Sequence, residues 1–228
     1  MTAHAQASEE KTESGNVHRG QRLSSDGAVI HPTAQVANST FEPWTEVAEG
    51  SRILNSIFEA YSYCDRFADI ANTTVGRFSN IAAMTRIGPT DHPFTHAAQH
   101  HFLYRSSYYW DDARDDPDFF SARAARRTTL GPDCWIGHGA IIKPEVIVGA
   151  GAIVASGAVV TRDVPPFMIV AGCPATPLRP RFDARTIDRL LALSWWDWDH
   201  TRLRAALTDF RALKAEALPH DKVRYVLN

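Results

Sequence analysis

The chain has 228 residues, with 24 Lys and Arg against 26 Asp and Glu, giving a net charge of −2. So even a balance offers nothing for nucleic acid to bind, and no apolar run is long enough to span a bilayer. With 22% charged and 44% hydrophobic residues, the composition is that of a globular chain able to build its own core.

Three Cys occur, an odd number, with no Cys-x-x-Cys pair. That argues against a disulfide framework and fits a reducing compartment. The N-terminus has no apolar signal core, so the expectation is a cytoplasmic protein. Residues 1–26 are polar, with Ser8-Glu-Glu-Lys-Thr-Glu-Ser near their middle, and read as a flexible tail.

From Ala28 onward, aliphatic residues recur in sixes. Ile30 and Val36 open the phase, with Ala28 and Ala34 two residues before them. Val47 and Ile53 resume after a slip of one, and Cys64 and Ile70 after another. Val75, Ile81 and Ile87 then run cleanly, with Thr73, Ser79 and Thr85 as small partners. Slips of one residue predict bulged or lengthened corners. Between Gly88 and Thr128 the period stops. A stretch this long that leaves and re-enters a repeat is an excursion loop, and such loops usually carry function. Within it, Asp116-Pro117 reads as a helix cap with Pro at the first helical position. The short helix holds Phe119, Phe120 and Ala122, and its end carries Arg123, Arg126 and Arg127, where cations suit the helix dipole.

The period returns without a slip at Leu130, Ile136, Ile142, Val148, Val154 and Val160. Thr128, Cys134, Ala140, Val146, Ala152 and Ala158 lie two residues earlier. A helix would repeat at three and four, and a plain strand would alternate. A repeat of six describes one short strand and one tight corner. Three such units close a triangular coil of about eighteen residues, and coils stack at the ~4.8 Å spacing of paired strands. A single coil cannot bury its inner face, so coils must stack. The expected inner column is Ile, Val, Leu and Ala, with no ready place for Phe or Trp. Cys64 and Cys134 fall inside coils as small apolar groups, and Cys173 in a turn. Gly131, Gly137 and Gly149 follow the aliphatics, where a Cβ would obstruct the corner. Three to four coils are expected before the excursion and about two after it.

Pro165-Pro166 and Pro174 stop the strands. Asp183 caps a helix with Ile187, Leu190 and Leu191 on one face, and a second helix from about Asp199 aligns Leu203, Leu207 and Phe210. Trp195, Trp196 and Trp198 lie between them, serving either packing or cofactor stacking. The helices should cover the end or side of the coils. The expected organisation is therefore a β-helix domain over 27–182, with the excursion at 89–127, and a helical segment over 183–217.

Asp133-Cys-Trp-Ile-Gly-His-Gly-Ala, Val160-Thr-Arg-Asp-Val-Pro-Pro-Phe, Ala171-Gly-Cys-Pro-Ala and Leu193-Ser-Trp-Trp-Asp-Trp together resemble the xenobiotic acetyltransferases of the hexapeptide-repeat superfamily. That group includes the streptogramin and the hexapeptide type of chloramphenicol acetyltransferases. The excursion from Gln99-His-His-Phe to Trp110 resembles a related group associated with phosphonate metabolism. The resemblance covers roughly residues 29–207. It implies a left-handed parallel β-helix with C-terminal helices, acetyl-CoA as co-substrate, no metal, and a homotrimer with sites between subunits. It also implies direct transfer of acetyl, in a ternary complex, to a hydroxyl of a small molecule, either an antibiotic-like xenobiotic or a phosphonate-pathway metabolite.

By the same resemblance, His92 in Thr90-Asp-His-Pro stands where the family has its general base, a task that suits a neutral imidazole. The family has Asn before that His, and this chain has Asp91. His138, Ser156, Thr161 and Arg162 match coenzyme A contact sites, and Arg179 matches a phosphate-binding Arg. Thr176 stands where the family often has Lys or Arg, so Arg162 and Arg179 carry more of that task, with Arg181 nearby; guanidinium meets phosphate in a bidentate way. From the residues alone, His96, His100 and His101 are pocket lining or loop packing, and Tyr104, Tyr108, Tyr109 and Trp110 are an acceptor wall or loop core. Two other functions remain: a zinc enzyme of the carbonic anhydrase type, and a non-catalytic trimeric scaffold.

Overall fold

In the computed structural model, which describes residues 22–212, the chain winds into a left-handed parallel β-helix. Like strands of successive coils pair in register and form three faces. The first face stacks Val29–Ile30, Glu46–Val47, Tyr63–Cys64, Asn80–Ile81, Trp135–Ile136 and Ile153–Val154. The second stacks Gln35–Ala37, Arg52–Leu54, Asp69–Ala71, Arg86–Ile87, Ile141–Ile142 and Val159–Val160. The third stacks Thr40–Phe41, Ile57–Phe58, Thr73–Val75, Thr128–Leu130 and Ile147–Val148. Strands of two or three residues hold together because each amide bonds the coil beside it, as Gly137 N–H does to the Val154 carbonyl at 2.8 Å. From Val47 onward the aliphatics of the sixes point inward and are buried, with the small Ser51, Ser79, Cys134, Ala140 and Ala158 beside them, whereas Ile30 and Val36 of the first coil are exposed.

The edges explain the slips. Beyond the opening corner from Ile30 to Val36, where a corner spans six residues the residue three after the aliphatic is left-handed, as at Gly50, Phe67 and Met84 between the first and second faces, here the second edge. Trp44, Tyr61 and Phe78 do the same at the first edge, between the third and first faces. At the third edge, between the second and third faces, the first three coils run Val36 to Phe41, Ile53 to Phe58 and Ile70 to Val75, one residue shorter. These corners are thus contracted, and the expectation of lengthened ones is corrected. Asn38, Asn55 and Asn72 occupy the left-handed position there (φ 48, 48 and 50°), because a short polar side chain tolerates that backbone. Hydroxyls complete the corner: the Thr73 amide donates to Ser56 Oγ at 3.1 Å and the Ser56 amide to Ser39 Oγ at 3.0 Å. Ile53 therefore pairs with Ile70 seventeen residues on, whereas Ile142 pairs with Val160 eighteen on.

A second correction concerns the inner column. Phe58 is wholly buried in it, 5.2 Å from the Phe41 ring, with Val75 in the coil beyond. Its coil carries Ser51, Ser56 and Ser62 as inner partners, small enough to leave room for a ring. The glycines after the aliphatics serve close stacking: a Cβ on Gly137 would lie 2.5 Å from Ser156 N of the next coil.

The fourth coil is closed across the excursion. Arg86–Ile87 ends its second side, and Thr128–Leu130 supplies the third, pairing directly with Thr73–Val75. Between them lie two single 3-10 turns, His101–Leu103 and Ser106–Tyr108, and helix α1 (Pro117–Ala125). The Asp116 carboxylate accepts the Phe119 amide at 2.9 Å and caps α1 as expected.

After the last coil, Met168–Gly172 extends the first face, and Ala175–Pro180 pairs with it antiparallel. The expectation that Pro165-Pro166 and Pro174 stop the strands is corrected: Pro174 lies in the turn of this hairpin, and an outermost strand tolerates Pro177 and Pro180, whose missing N–H groups need no partner. Helix α2 (Ala184–Leu193) starts at the Asp183 cap, and α3 (His200–Ala212) follows Asp199, which accepts the Arg202 amide at 2.8 Å. Both pack on the side of the coils along the first edge. There Trp44, Tyr61 and Phe78 stack ring on ring at 4.8 and 4.5 Å, with His200 stacked against Trp44 and Trp195 tilted against Phe78. Trp196 and Trp198 are buried, which makes the tryptophans packing groups. Of the tail expected over 1–26, residues 1–21 lie outside the described residues, as do 213–217 of the helical segment. The Ser24 carbonyl accepts the Trp44 amide at 3.1 Å. Among the described residues no helix is long and apolar enough to cross a membrane.

Two outcomes follow from this packing. Phe58→Ala should lower unfolding free energy by about 3–5 kcal/mol, read by denaturant titration. Burial pushes the Cys64 and Cys134 thiols up to about 12, so iodoacetamide at pH 8 should label exposed Cys173 and spare the other two until the fold opens, checked by mass spectrometry.

Candidate active site

His92 lies four residues beyond Gly88, where the excursion leaves the third edge. Its Nδ1 is 2.9 Å from the Gln99 carbonyl oxygen. A carbonyl can only accept, so Nδ1 carries the proton, and Nε2 keeps its lone pair. The Tyr104 hydroxyl stands 3.4 Å from the same Nδ1. The imidazole is exposed while its tautomer is fixed from behind, which is the arrangement a proton acceptor needs.

Tyr104 is loop core. Its ring is buried, stacks on Phe119 at 4.2 Å and carries the Arg123 guanidinium at 5.5 Å. Tyr108, Tyr109 and Trp110 are exposed, and they keep open the role of an acceptor wall. His101 Nε2 is joined to the Tyr109 hydroxyl, and His100 Nδ1 accepts the Phe102 amide at 3.3 Å. These two histidines therefore organise the loop. Among the described residues, no group of three or more His, Cys, Asp or Glu is arranged to hold a metal ion.

The excursion is tied down at its base. Asn55 Nδ2 donates to the Ala124 carbonyl at 3.4 Å and Asn72 Nδ2 to that of Arg123 at 3.3 Å, so the contracted corners serve the free carbonyls at the end of α1. Arg127 donates to the Asn55 carbonyl at 3.2 Å and to Thr74 Oγ1 at 3.2 Å. Arg126 donates through Nη1 to the Asp91 carboxylate, and through Nε and Nη2 to Glu145 Oε2 at 3.0 and 2.8 Å. The carboxylate of Asp91 is thus turned to Arg126.

The other candidate residues fall on separate edges. His138 and Ser156 lie one above the other at the second edge, where the Gly157 amide donates to the His138 carbonyl at 2.8 Å. Thr161 and Arg162 follow Val160 at the third edge, two coils from the root of the excursion, or about 10 Å at the paired-strand spacing. Arg179 lies in the closing hairpin, opposite Ile169, and Arg162 and Arg179 are both exposed. Arg181 is committed elsewhere: it bonds Asp133 at 3.2 Å and the Gly151 carbonyl at 2.7 Å, and lies over Phe167 and Phe182. Within one chain, then, His138 and Ser156 are separated from the excursion root by the width of the second face.

The family described as bacterial transferase hexapeptide (six repeats) matches residues 127–162. The chloramphenicol acetyltransferase of Klebsiella aerogenes is 32% identical over 154 residues, spanning 64% of this chain and 69% of that enzyme. The chain belongs to the hexapeptide-repeat acetyltransferases. The chloramphenicol acetyltransferase of Agrobacterium fabrum is 49% identical over 80 residues, 35% of this chain and 38% of that one. A probable macrolide acetyltransferase of Lysinibacillus sphaericus is 44% identical over 71 residues, 31% of this chain and 39% of that one.

In this hexapeptide-repeat acetyltransferase, sequence reasoning missed the Gln99 carbonyl and the Asp91–Arg126–Glu145 ion group. A backbone acceptor has no side-chain signature. The ion group did leave a trace, since Asp91 stands where the resembled family has Asn and Arg126 ends the helix that follows.

Proposed function

We propose that this protein is an acetyl-CoA-dependent O-acetyltransferase in which His92 acts as the general base on a small-molecule hydroxyl. Acetyl passes directly from thioester to acceptor in a ternary complex. The observation that carries this reading is the imidazole whose Nδ1 proton is committed to the Gln99 carbonyl while Nε2 is open at the excursion root. Nε2 takes the hydroxyl proton as oxygen attacks the thioester carbon. The carbon–sulfur bond then breaks, and the departing thiolate, whose thiol pKa is about 8.5, takes the proton back from Nε2. A backbone N–H stabilises the tetrahedral oxyanion. No acyl-enzyme forms, and proximity of the two bound substrates supplies much of the rate.

Coenzyme A runs along the lower coils, with His138 and Ser156 against its amide arm and Thr161, Arg162 and Arg179 toward its phosphates. Arg181, held by Asp133 and the Gly151 carbonyl, takes no part. The separation of His138 and Ser156 from His92 across one face supports a homotrimer in which one subunit's second edge meets the next subunit's excursion. Exposed Trp135, Ile141 and Ile147, one on each face of a single coil, are consistent with such packing. The acceptor class is an antibiotic-like hydroxyl, supported by relatives named for chloramphenicol and macrolides and by the exposed rings of Tyr108, Tyr109 and Trp110.

An acceptor screen with acetyl-CoA, reading free thiol, tests this. His92→Ala should reduce turnover on the best acceptor by about 10²–10⁴-fold, and undiminished turnover removes His92 from the mechanism. Replacing Arg162 and Arg179 together by Ala should raise KM for acetyl-CoA with kcat little changed.

A further inference from the structure

The third edge holds a feature that the acetyl transfer reading does not use. In the first three coils its corner spans five residues and turns on Asn38, Asn55 and Asn72. In the coil below the excursion the corner from Ile142 to Val148 spans six, and its left-handed residue is Glu145 (φ 68°). Glu145 extends its carboxylate to Arg126, which reaches on to Asp91, the residue directly before His92. Arg126 is itself the residue that ends α1. One guanidinium therefore links three parts of the molecule: the outgoing limb of the excursion, its returning limb and the coil below.

We propose that Arg126 is a positioning residue for His92: it clasps Asp91 to Glu145, fixing the outgoing limb over the lower coils and pairing the carboxylate of the residue directly before His92 in sequence. Because it rests on the reading of His92 as the base, its test is chosen to work without turnover. An Asn beside the catalytic His needs no counter-charge, whereas Asp91 does, and Arg126 supplies it. The charged and titratable groups around His92 are Asp91 on its own limb, Tyr104 against its ring, His101 and Arg123 packed on Tyr104, and Arg126 and Glu145 at the clasp. Removing the Arg126 charge leaves two carboxylates uncompensated on that side. Nearby negative charge favours the protonated imidazole, so the base would be neutral over a narrower, more alkaline range.

The experiment is diethyl pyrocarbonate modification of the full chain from pH 5 to 8, with carbethoxylation at His92 followed by mass spectrometry and His31 as an internal reference. Only the unprotonated ring nitrogen reacts, so the pH midpoint at His92 reports its protonation. Arg126→Ala should raise that midpoint by about half a pH unit or more, and the double variant Asp91→Asn with Arg126→Ala should bring it back toward wild type. Asp91→Asn, which changes almost no volume, should lower it, and this variant decides the matter if Arg126→Ala fails to fold. An unmoved midpoint in the folded variants overturns the role of Arg126. Midpoints that shift as expected while acceptor turnover survives His92→Ala would uphold the clasp and overturn the base.

Discussion

Everything in this molecule answers to the fixed spacing at which one coil bonds the next. Each strand within the coils is two or three residues long and has no stability of its own. Its amides and carbonyls are satisfied only by strands a coil above and a coil below, as in Asn80–Ile81 between Tyr63–Cys64 and Trp135–Ile136. That spacing dictates what stands at each place. Inner side chains must stack in contact, so Ile53, Ile70, Ile87 and Ile142 form a continuous column. Residues after them must let backbones approach, so Gly131, Gly137 and Gly149 carry no side chain. Corners must turn within three or four residues, which the left-handed residues accomplish.

The excursion is the chemical consequence of a rigid prism. Because Thr128–Leu130 pairs with Thr73–Val75 as if nothing intervened, about forty residues are added without disturbing the stack. They are then fastened where they leave and return: Asn55 and Asn72 bind the final carbonyls of α1, Arg127 binds Asn55 and Thr74, and Arg126 binds Asp91 and Glu145. A loop imidazole thereby acquires the definition that strands give to other sites. Its tautomer is set by the Gln99 carbonyl, a contact only seven residues long in sequence. The ion group that anchors it reaches 35 residues in one direction and 19 in the other.

That difference in reach explains what could be read from the residues alone. Caps at Asp116 and Asp183 act over three residues and were legible, as was the start of a helix near Asp199. The columns were legible because their period repeats many times. The slips were detected and misread: a change of phase by one residue has no sign until the left-handed position is known, and Asn38, Asn55 and Asn72 supply that sign. Phe58 was unexpected because a column pattern says nothing about the volume its neighbours leave. The closing hairpin was hidden by Pro165-Pro166 and Pro174, which read as the end of the strands although Pro174 only turns the chain between two of them. His92 was singled out through resemblance, since nothing about an isolated loop histidine marks it. The Asp91 partnership depended on contacts between segments that no local pattern connects.

The change from seventeen to eighteen residues per turn has a consequence for how such a protein can vary. Above the excursion and below it the prism is wound with two different pitches of sequence, like two gear trains with unequal teeth, and they mesh at the broken fourth coil. At that joint the count is already interrupted, so the length of the inserted segment is free of the arithmetic that binds every other corner. Descendants of this chain can lengthen, shorten or exchange that segment, and so change what the imidazole meets, while both trains keep turning in step.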